Sequence, residues 1–438
     1  MRVAHCLGWY FPESVGGTEV YVRDLARALH GQGIESVVLA PRDGHETARY
    51  EHEGVRVLRY PVPEARTRAE HEGREPHAAF DAFRALLTDA AADVFHLHSV
   101  TYGANLHHLE CARAAGMASV TTVHVGDVLC ERGTLLRFGR EACDGRIDPT
   151  QCVPCWLDAK GVPHALAPAL GAIGRHLPDA IAERVPGRAR TLLSAGARID
   201  ARRARLLRLA AASDRVVAVC DWLHAALRLN GVPDAKLVAC RQGVAPVDAA
   251  KRGALLDALL RRPLRVAFLG RASPVKGLDL LLDALARVPD ASVRLAVYAR
   301  ANGPDDRAYL ARMHDRAASD ARVSFVDLVP PEGVRDAIRR HDVLAVPSRC
   351  LETGPLVAME ALAAGIPVLA SDLGGLRELV RHERTGWLLP PDDVRAWSDA
   401  LQRLAATRPA LTWTPEESPL LTHAEVASRM AALYRTLR

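Results

Sequence analysis

The chain has 438 residues, 49% hydrophobic and 25% charged, and 57 basic against 52 acidic side chains leave a formal charge of +5. That length suffices for two α/β domains with full cores, so folding requires no disulfide or metal staple. The composition excludes collagen-like, coiled-coil and wholly disordered chains, and so mild a charge gives no reason to expect a nucleic-acid partner.

In chain order, residues 2–7 form an apolar run that ends in a Gly-, Pro- and Ser-rich turn over 8–17. This opening lacks the apolar region and cleavage site of a signal peptide, and no run anywhere reaches 18 apolar residues, so a cytoplasmic protein is expected. Val20, Leu25, Ala28 and Leu29 share one face of a predicted helix over 18–30. Apolar, β-branched runs follow at 36–40, 55–60, 94–97 and 119–123, with helical patterns at 76–91 and 104–115. The grammar restarts at 264–270, continues with a helix over 278–287, and places strands near 293–297, 323–325, 343–346 and 367–370. Strands alternating with helices predict parallel, doubly wound sheets. The expected architecture is therefore α/β with two Rossmann-like domains, 1–243 and 263–412, joined by a linker at 244–262 and followed by a tail helix within 413–438. Open sheets of this kind bind ligands beyond the carboxyl ends of their strands.

Two segments carry chemistry. In Glu352-Thr-Gly354-Pro-Leu356-Val357-Ala-Met-Glu360, Pro355 favours a first helical turn, so one carboxylate stands at a helix mouth and the other about a turn and a half into the helix. Carboxylates accept hydrogen bonds from sugar hydroxyls, and a helix N-terminus offers backbone N–H groups to phosphate. In Gly270-Arg271-Ala-Ser-Pro-Val-Lys276-Gly277, a strand ends on glycine and two cations follow five residues apart, a pattern suited to phosphate oxygens. Taken singly, each segment also reads as ordinary solvated surface.

Their joint order with Gly16-Gly17-Thr-Glu19, Val123-His124, Ala218-Val-Cys220, Gln242-Gly243-Val244, Pro347-Ser348, Ala364-Gly365-Ile366-Pro367, Gly374-Gly375 and Thr385-Gly386 resembles retaining glycosyltransferases of the GT-B fold, glycosyltransferase family 4. The resemblance implies two Rossmann-like domains facing a central cleft and a nucleoside diphosphate sugar donor, UDP- or GDP-linked, held by the C-terminal domain. Arg271 and Lys276 would stabilise the leaving diphosphate and Glu352 would contact the transferred sugar. Glu360 would bind the ribose, while Gly270, Gly354 and the backbone of Leu356 and Val357 would line the phosphates. In the N-terminal domain Gly16 and Gly17 would admit backbone close to the donor phosphate, and His124 would face the transferred sugar; a buried structural histidine is the other reading. No catalytic metal is expected. The acceptor would be a glycan, a lipid-linked saccharide or a small molecule. Tyr298-Ala299 and Asp327 depart from the glycines frequent in the resembled family where the base is read. His96 and His98 read mainly as structural residues, with an acceptor-side contact the other reading of His98.

Cys130, Cys143, Cys152 and Cys155 form C-x12-C-x8-C-x2-C in an insert at about 125–165. Four thiolates suit tetrahedral zinc, and structural zinc is the expectation, with two disulfides or an iron–sulfur cluster as alternatives. Between Arg175 and Arg215 ten arginines face four acids. A solvated helix face is the ordinary meaning, and contact with anionic lipid at the inner face of a membrane, or with a phosphate-bearing acceptor, is the sharper one. The function expected is hexosyl transfer with retention of configuration. A sugar-nucleotide epimerase or hydrolase of the same fold, or a catalytically silent sugar-nucleotide-binding scaffold, are the alternatives.

Overall fold

A computed structural model describes residues 1–71, 73–163, 192–246, 262–288, 292–408, 413 and 419–437. The chain divides into two units, Met1–Gly243 with His423–Arg438, and Val244–Thr422. Most of the expected linker, and the arginines from 175 to 190, lie outside the described residues.

The first unit is built on β1 (Arg2–Cys6), β2 (Glu35–Asp43), β3 (Ala48–His52), β4 (Val55–Val62), β5 (Val94–Leu97), β6 (Ala118–Val123), β9 (Arg215–Ala218) and β10 (Leu237–Ala239). A small hairpin in the cysteine insert supplies β7 (Leu136–Arg137) and β8 (Glu141–Ala142). The sheet order is β10-β9-β6-β5-β1-β2-β4-β3. All neighbours run parallel except β3, which pairs antiparallel with β4 at the sheet edge. The central strands are buried on both faces, which is why they stand out in the sequence as unbroken apolar runs. β3, with the sequence ARYEH, is polar at alternate positions, and the sequence reading passes over it.

Helices α1 (Gly17–His30), α2 (Phe80–Ala90), α3 (Leu106–Ala114), α4 (Pro149–Asp158), α5 (Ala195–Ala212) and α6 (Asp221–Leu229) are the longer helices described in the first unit before its C-terminal segment. α1 buries Tyr21, Val22, Leu25, Ala26 and Leu29, one stripe at helical spacing.

The second unit has β11 (Leu264–Arg271), β12 (Val293–Arg300), β13 (Val323–Phe325), β14 (Val343–Val346), β15 (Val368–Ser371) and β16 (Gly386–Leu389), all parallel in the order β13-β12-β11-β14-β15-β16. Counted within the unit this is 3-2-1-4-5-6, the doubly wound order with its switch point between β11 and β14. Successive residues point to opposite faces. Val266 and Phe268 therefore join one core with α7 (Leu278–Ala286), α8 (Pro304–Ala317) and α12 (Val394–Thr407). Ala267, Leu344 and Val346 join another with α9 (Val334–Arg339), α10 (Leu356–Ala363) and α11 (Gly374–Leu379).

The final helix, α13 (His423–Arg435), is read from sequence as a separate tail, but the structure makes it part of the first unit. Its stripe Val426, Met430, Tyr434 is fully buried, and Gln32 Nε2 donates to Ser428 Oγ at 3.0 Å.

Candidate functional site

The second unit's switch point brings Lys276 and Glu352 together. Lys276 ends a 3-10 turn after β11, Glu352 lies in the loop after β14, and Lys276 Nζ donates to Glu352 Oε1 at 2.6 Å. Ser348 Oγ donates to the same oxygen at 2.6 Å. The Glu352 side chain is 12% exposed and that of Lys276 29%. Burial pushes the Glu352 carboxyl up, but the Lys276 ammonium beside it, with the Ser348 and Cys350 hydrogen bonds, holds it below its ordinary value. Burial likewise works against the Lys276 charge, and Glu352 more than offsets it, so Lys276 sits above its ordinary value. The result is a partly buried ion pair with the ammonium still reachable from solvent.

Three features hold this pair in place. Gly277 takes φ +71°, and a Cβ there would fall 2.0 Å from the Pro347 carbonyl oxygen, so only glycine lets the turn lie against that loop. Gly375 N donates to Glu352 O at 2.6 Å, and a Cβ on Gly374 or Gly375 would lie 2.8 Å from that oxygen. Arg349, which sequence reasoning missed, joins the two loops: Nη1 donates to Asp279 Oδ1 at 2.7 Å and to Pro274 O at 2.9 Å, and Nε to Asp392 at 2.7 Å. Its signal in the sequence is only that it follows Pro347-Ser348.

Leu356 and Val357 open α10, whose N-cap, Pro355, supplies no side-chain cap; Ala358 N and Met359 N bond back to Pro355 O. The amides of Leu356 and Val357 thus precede the first backbone bonds of the helix. Glu360 is half-buried one turn further along, and Gly354 lies between Glu352 and the helix. Gly270 has open space around its Cα, and Arg271 stands exposed at the end of β11, 3.9 Å from Asp306.

At the carboxyl edge of the first unit's sheet, Gly16 is the N-cap of α1 with an extended backbone, and Gly17 is the first helical residue. Glu19 folds back beneath them, accepting from Ser14 Oγ at 2.7 Å. His124, 5% exposed, follows β6 and packs edge-on to Tyr21 with ring centroids 4.7 Å apart. Nearby His5, His96 and His98 bring ring nitrogens within 4.8 Å of one another, the one such group of metal-capable side chains found among the described residues. Both nitrogens of each ring already meet protein partners, so a cation would have to displace those bonds.

In the insert, Asp148 caps α4 and Pro149 occupies its first position, placing Cys152 and Cys155 on consecutive turns. All four cysteines line one cavity with Leu129, Leu135, Ile147, Trp156 and Ile199. Phe138 N donates to Cys155 Sγ at 3.2 Å and Gly145 N to Cys143 Sγ at 3.4 Å. No three of these sulfurs fall within 4.8 Å of one another, so ligation requires the cavity to contract. Burial pushes the Cys152 thiol up to about 11.

The basic helix α5 spends part of its charge on neighbouring acids. Arg198 and Arg202 each donate to Glu131 at 2.7 Å, and Arg208 to Glu110 at 2.8 Å. Arg202 is thereby largely taken up by Glu131, whereas Arg208, 56% exposed, stays at the surface.

Comparison with known proteins agrees with this architecture. Residues 16–243, more than half of the chain, match the family described as "Glycosyl transferase 4-like domain", and residues 263–407 match "Glycosyl transferases group 1". A 169-residue stretch is 39% identical to a D-inositol 3-phosphate glycosyltransferase of Mycobacterium sp. (strain JLS), covering 37% of this chain and 36% of that protein. A 202-residue stretch is 37% identical to the Rhodococcus jostii (strain RHA1) protein of the same name, covering 44% and 42%. The chain thus matches only about two fifths of the length of these relatives. Among solved structures, sucrose-phosphate synthase from Thermosynechococcus elongatus aligns with TM-score 0.64 at 22% identity over 100% of this chain and 98% of that one. Anabaena HepE in complex with UDP and glucose aligns with TM-score 0.59 at 15% identity, over 100% and 95%. At such identities the likeness is one of fold.

Proposed function

The chain belongs to the glycosyl transferases of group 1 with a glycosyl transferase 4-like domain, and from that premise we propose that it transfers a hexosyl group from a nucleoside diphosphate sugar to an acceptor, with retention of configuration. The second unit binds the donor. The observation that carries this reading is the Lys276–Glu352 pair at the switch point, beside the open first turn of α10.

Lys276 and Arg271 neutralise the departing diphosphate, and the amides of Leu356 and Val357 receive its oxygens. When a diphosphate takes up the Lys276 charge, Glu352 is left to accept from hydroxyls of the transferred sugar, and Glu360 does the same for the ribose. Gly270 and Gly354 keep the approach free of side chains. Catalysis on this reading is preorganised electrostatics at the leaving group rather than a glycosidase-type carboxylate pair. The first unit takes the acceptor, a glycan, lipid-linked saccharide or small molecule, with His124, Gly16 and Gly17 at its sheet edge. HepE is bound to UDP and glucose, which favours UDP as the first donor base to test.

Thermal shifts with UDP, GDP and ADP, for the wild type and Lys276→Ala, test the donor site. One nucleoside diphosphate should raise the midpoint, and the variant should abolish that rise. No shift with any of them would overturn the assignment, and rapid release of free nucleoside diphosphate from the sugar nucleotide without acceptor would favour hydrolysis or epimerisation. The anomeric configuration of the product, read by NMR, checks retention.

Cys130, Cys143, Cys152 and Cys155 form a structural zinc site on this reading. Four thiols around one cavity, two of them receiving backbone N–H bonds, fit the donor set of a thiolate-bound cation, whose charge would deprotonate the buried Cys152. Elemental analysis of protein purified without chelator should give one zinc per chain, and its absence would reject the site.

A further inference from the structure

Four histidines meet on one face of the first unit's sheet because three neighbouring strands present alternate residues there. His5 on β1 is in register with His96 on β5, His98 lies two residues on, and His124 extends β6 next door. Three of them are joined end to end. Ser36 Oγ lies 3.2 Å from His5 Nε2, His5 Nδ1 lies 3.0 Å from His98 Nε2, and His98 Nδ1 lies 3.2 Å from His124 Nε2. His96 lies tilted against His98 with centroids 3.9 Å apart but stands outside the row, its nitrogens meeting Thr122 Oγ1 and Tyr434 OH at 2.7 Å each.

A neutral imidazole has one N–H and one lone pair, so each ring can donate in one direction only. In a row of neutral rings every N–H must then point the same way. We propose that Ser36, His5 and His98 form a tautomer relay that fixes which nitrogen of His124 carries its proton. Two arrangements satisfy the row, Ser36 donating with all three rings Nδ1–H or Ser36 accepting with all three Nε2–H, so in either His124 carries the same tautomer as His5 and His98. His5 and His98 are thus positioning residues for His124. The relay deepens the proposed function, since it rests on His124 serving the sugar-transfer site. Burial keeps the rings uncharged: it lowers His5 and His124 to about 3 and His98 well below its ordinary value. In the first unit's sequence these residues are 31, 93 and 26 positions apart along the relay, so no local pattern announces it.

Long-range 1H–15N correlation spectra of histidine-labelled protein test the relay directly. His5, His98 and His124 should all carry the same tautomer, Nδ1–H or Nε2–H, between pH 6 and 8. His5→Phe, which keeps an aromatic ring but removes both nitrogens, should return His98 and His124 to mixed tautomers. Ser36→Ala, at the half-buried end of the row, should disturb the same two rings without emptying the core. Thr122→Val, which touches His96 alone, should leave them as they are. Opposite tautomers on His98 and His124 in the wild type would overturn the proposal, as would a His124 tautomer that neither variant alters. Turnover of the sugar nucleotide should fall roughly tenfold or more in His5→Phe with the donor KM unchanged. The spectra need no substrate, so a broken relay is distinguishable from a wrong functional reading: altered tautomers without any nucleotide binding would refute only the latter.

Discussion

Removing the charge from either member of the Lys276–Glu352 pair should unlock the donor site and weaken the second unit by an amount the structure sets. The bond is 2.6 Å long and the two side chains are 29% and 12% exposed, which lies between the exposed and buried regimes. Solvent-exposed pairs contribute roughly 0–1 kcal/mol, whereas stranding one member of a buried pair costs about 3–5 kcal/mol. A charge-assisted hydrogen bond of intermediate exposure should contribute about 1.5–3 kcal/mol. Lys276→Met should therefore cost about 2–3 kcal/mol, because it strands Glu352. Glu352→Gln should cost less, since the amide still accepts from Ser348. A double-mutant cycle should return a coupling of about 1.5–2 kcal/mol. Urea unfolding followed by Trp387 and Trp397, both buried, and the partly buried Trp413, all in the second unit, reads it once Trp9, Trp156 and Trp222 are replaced by Phe. The pH dependence has a definite sign. Glu352 is held below its ordinary 4.5, so its contribution is present above that pH and is lost as pH falls through the folded value. Lys276 is raised above 10.5, so its contribution is present below that pH and is lost on going higher. The coupling should be level from pH 6 to 9 and decline in acid. A coupling under about 0.5 kcal/mol in the level range, below the usual scatter of independent sites, or one undiminished below pH 4.5, would refute the reasoning.

Three further outcomes are expected. Gly277→Ala places a methyl on the Pro347 carbonyl oxygen in a left-handed backbone, so it should destabilise the second unit by about 2–4 kcal/mol and weaken nucleoside diphosphate binding, both measurable by urea titration and calorimetry. Arg349→Lys cannot keep Asp279, Asp392 and Pro274 O together, and should lower stability by about 1–2 kcal/mol while loosening nucleotide affinity; an unchanged dissociation constant would remove Arg349 as a positioning residue. Acid should weaken the first unit. His5, His96, His98, His108 and His124 are buried neutral with values lowered from 6.5, so their contribution is present above pH 6.5 and is lost as pH falls through the folded values. Each adds about 1.4 kcal/mol per pH unit to the slope in that window, and His5→Phe should flatten a denaturation series run from pH 6.5 to 4.5 by that much.

Much of the fold is legible because parallel strands buried on both faces leave continuous apolar runs. The runs at 94–97, 323–325 and 343–346 coincide with β5, β13 and β14. The strand β3 escapes because an edge strand has one solvated face and little apolar content. The helix α8 escapes although Tyr309, Met313 and Ala317 mark its buried stripe at i, i+4 and i+8, since the surrounding charge masks the periodicity. Of the candidate site, Lys276, Glu352 and the helix opening at Leu356 are readable as motif positions, because a glycine-bounded turn and a helix mouth are local structures. Their mutual contact is not.

The sequence alone determined the two-part α/β architecture, the cysteine insert and the residue types at the turn after β11, since all of these follow from local periodicity, spacing and turn chemistry. Tertiary structure decided the rest. It joined α13 to the first unit through Tyr434 and His96, 338 residues apart, and made Arg349 the bridge between two loops. It also gathered Ser36, His5, His98 and His124 into one row. The physical reason is strand order: which strands become neighbours depends on how whole elements pack, and a residue's hydrogen-bond partner across a sheet is set by that packing rather than by its place in the chain.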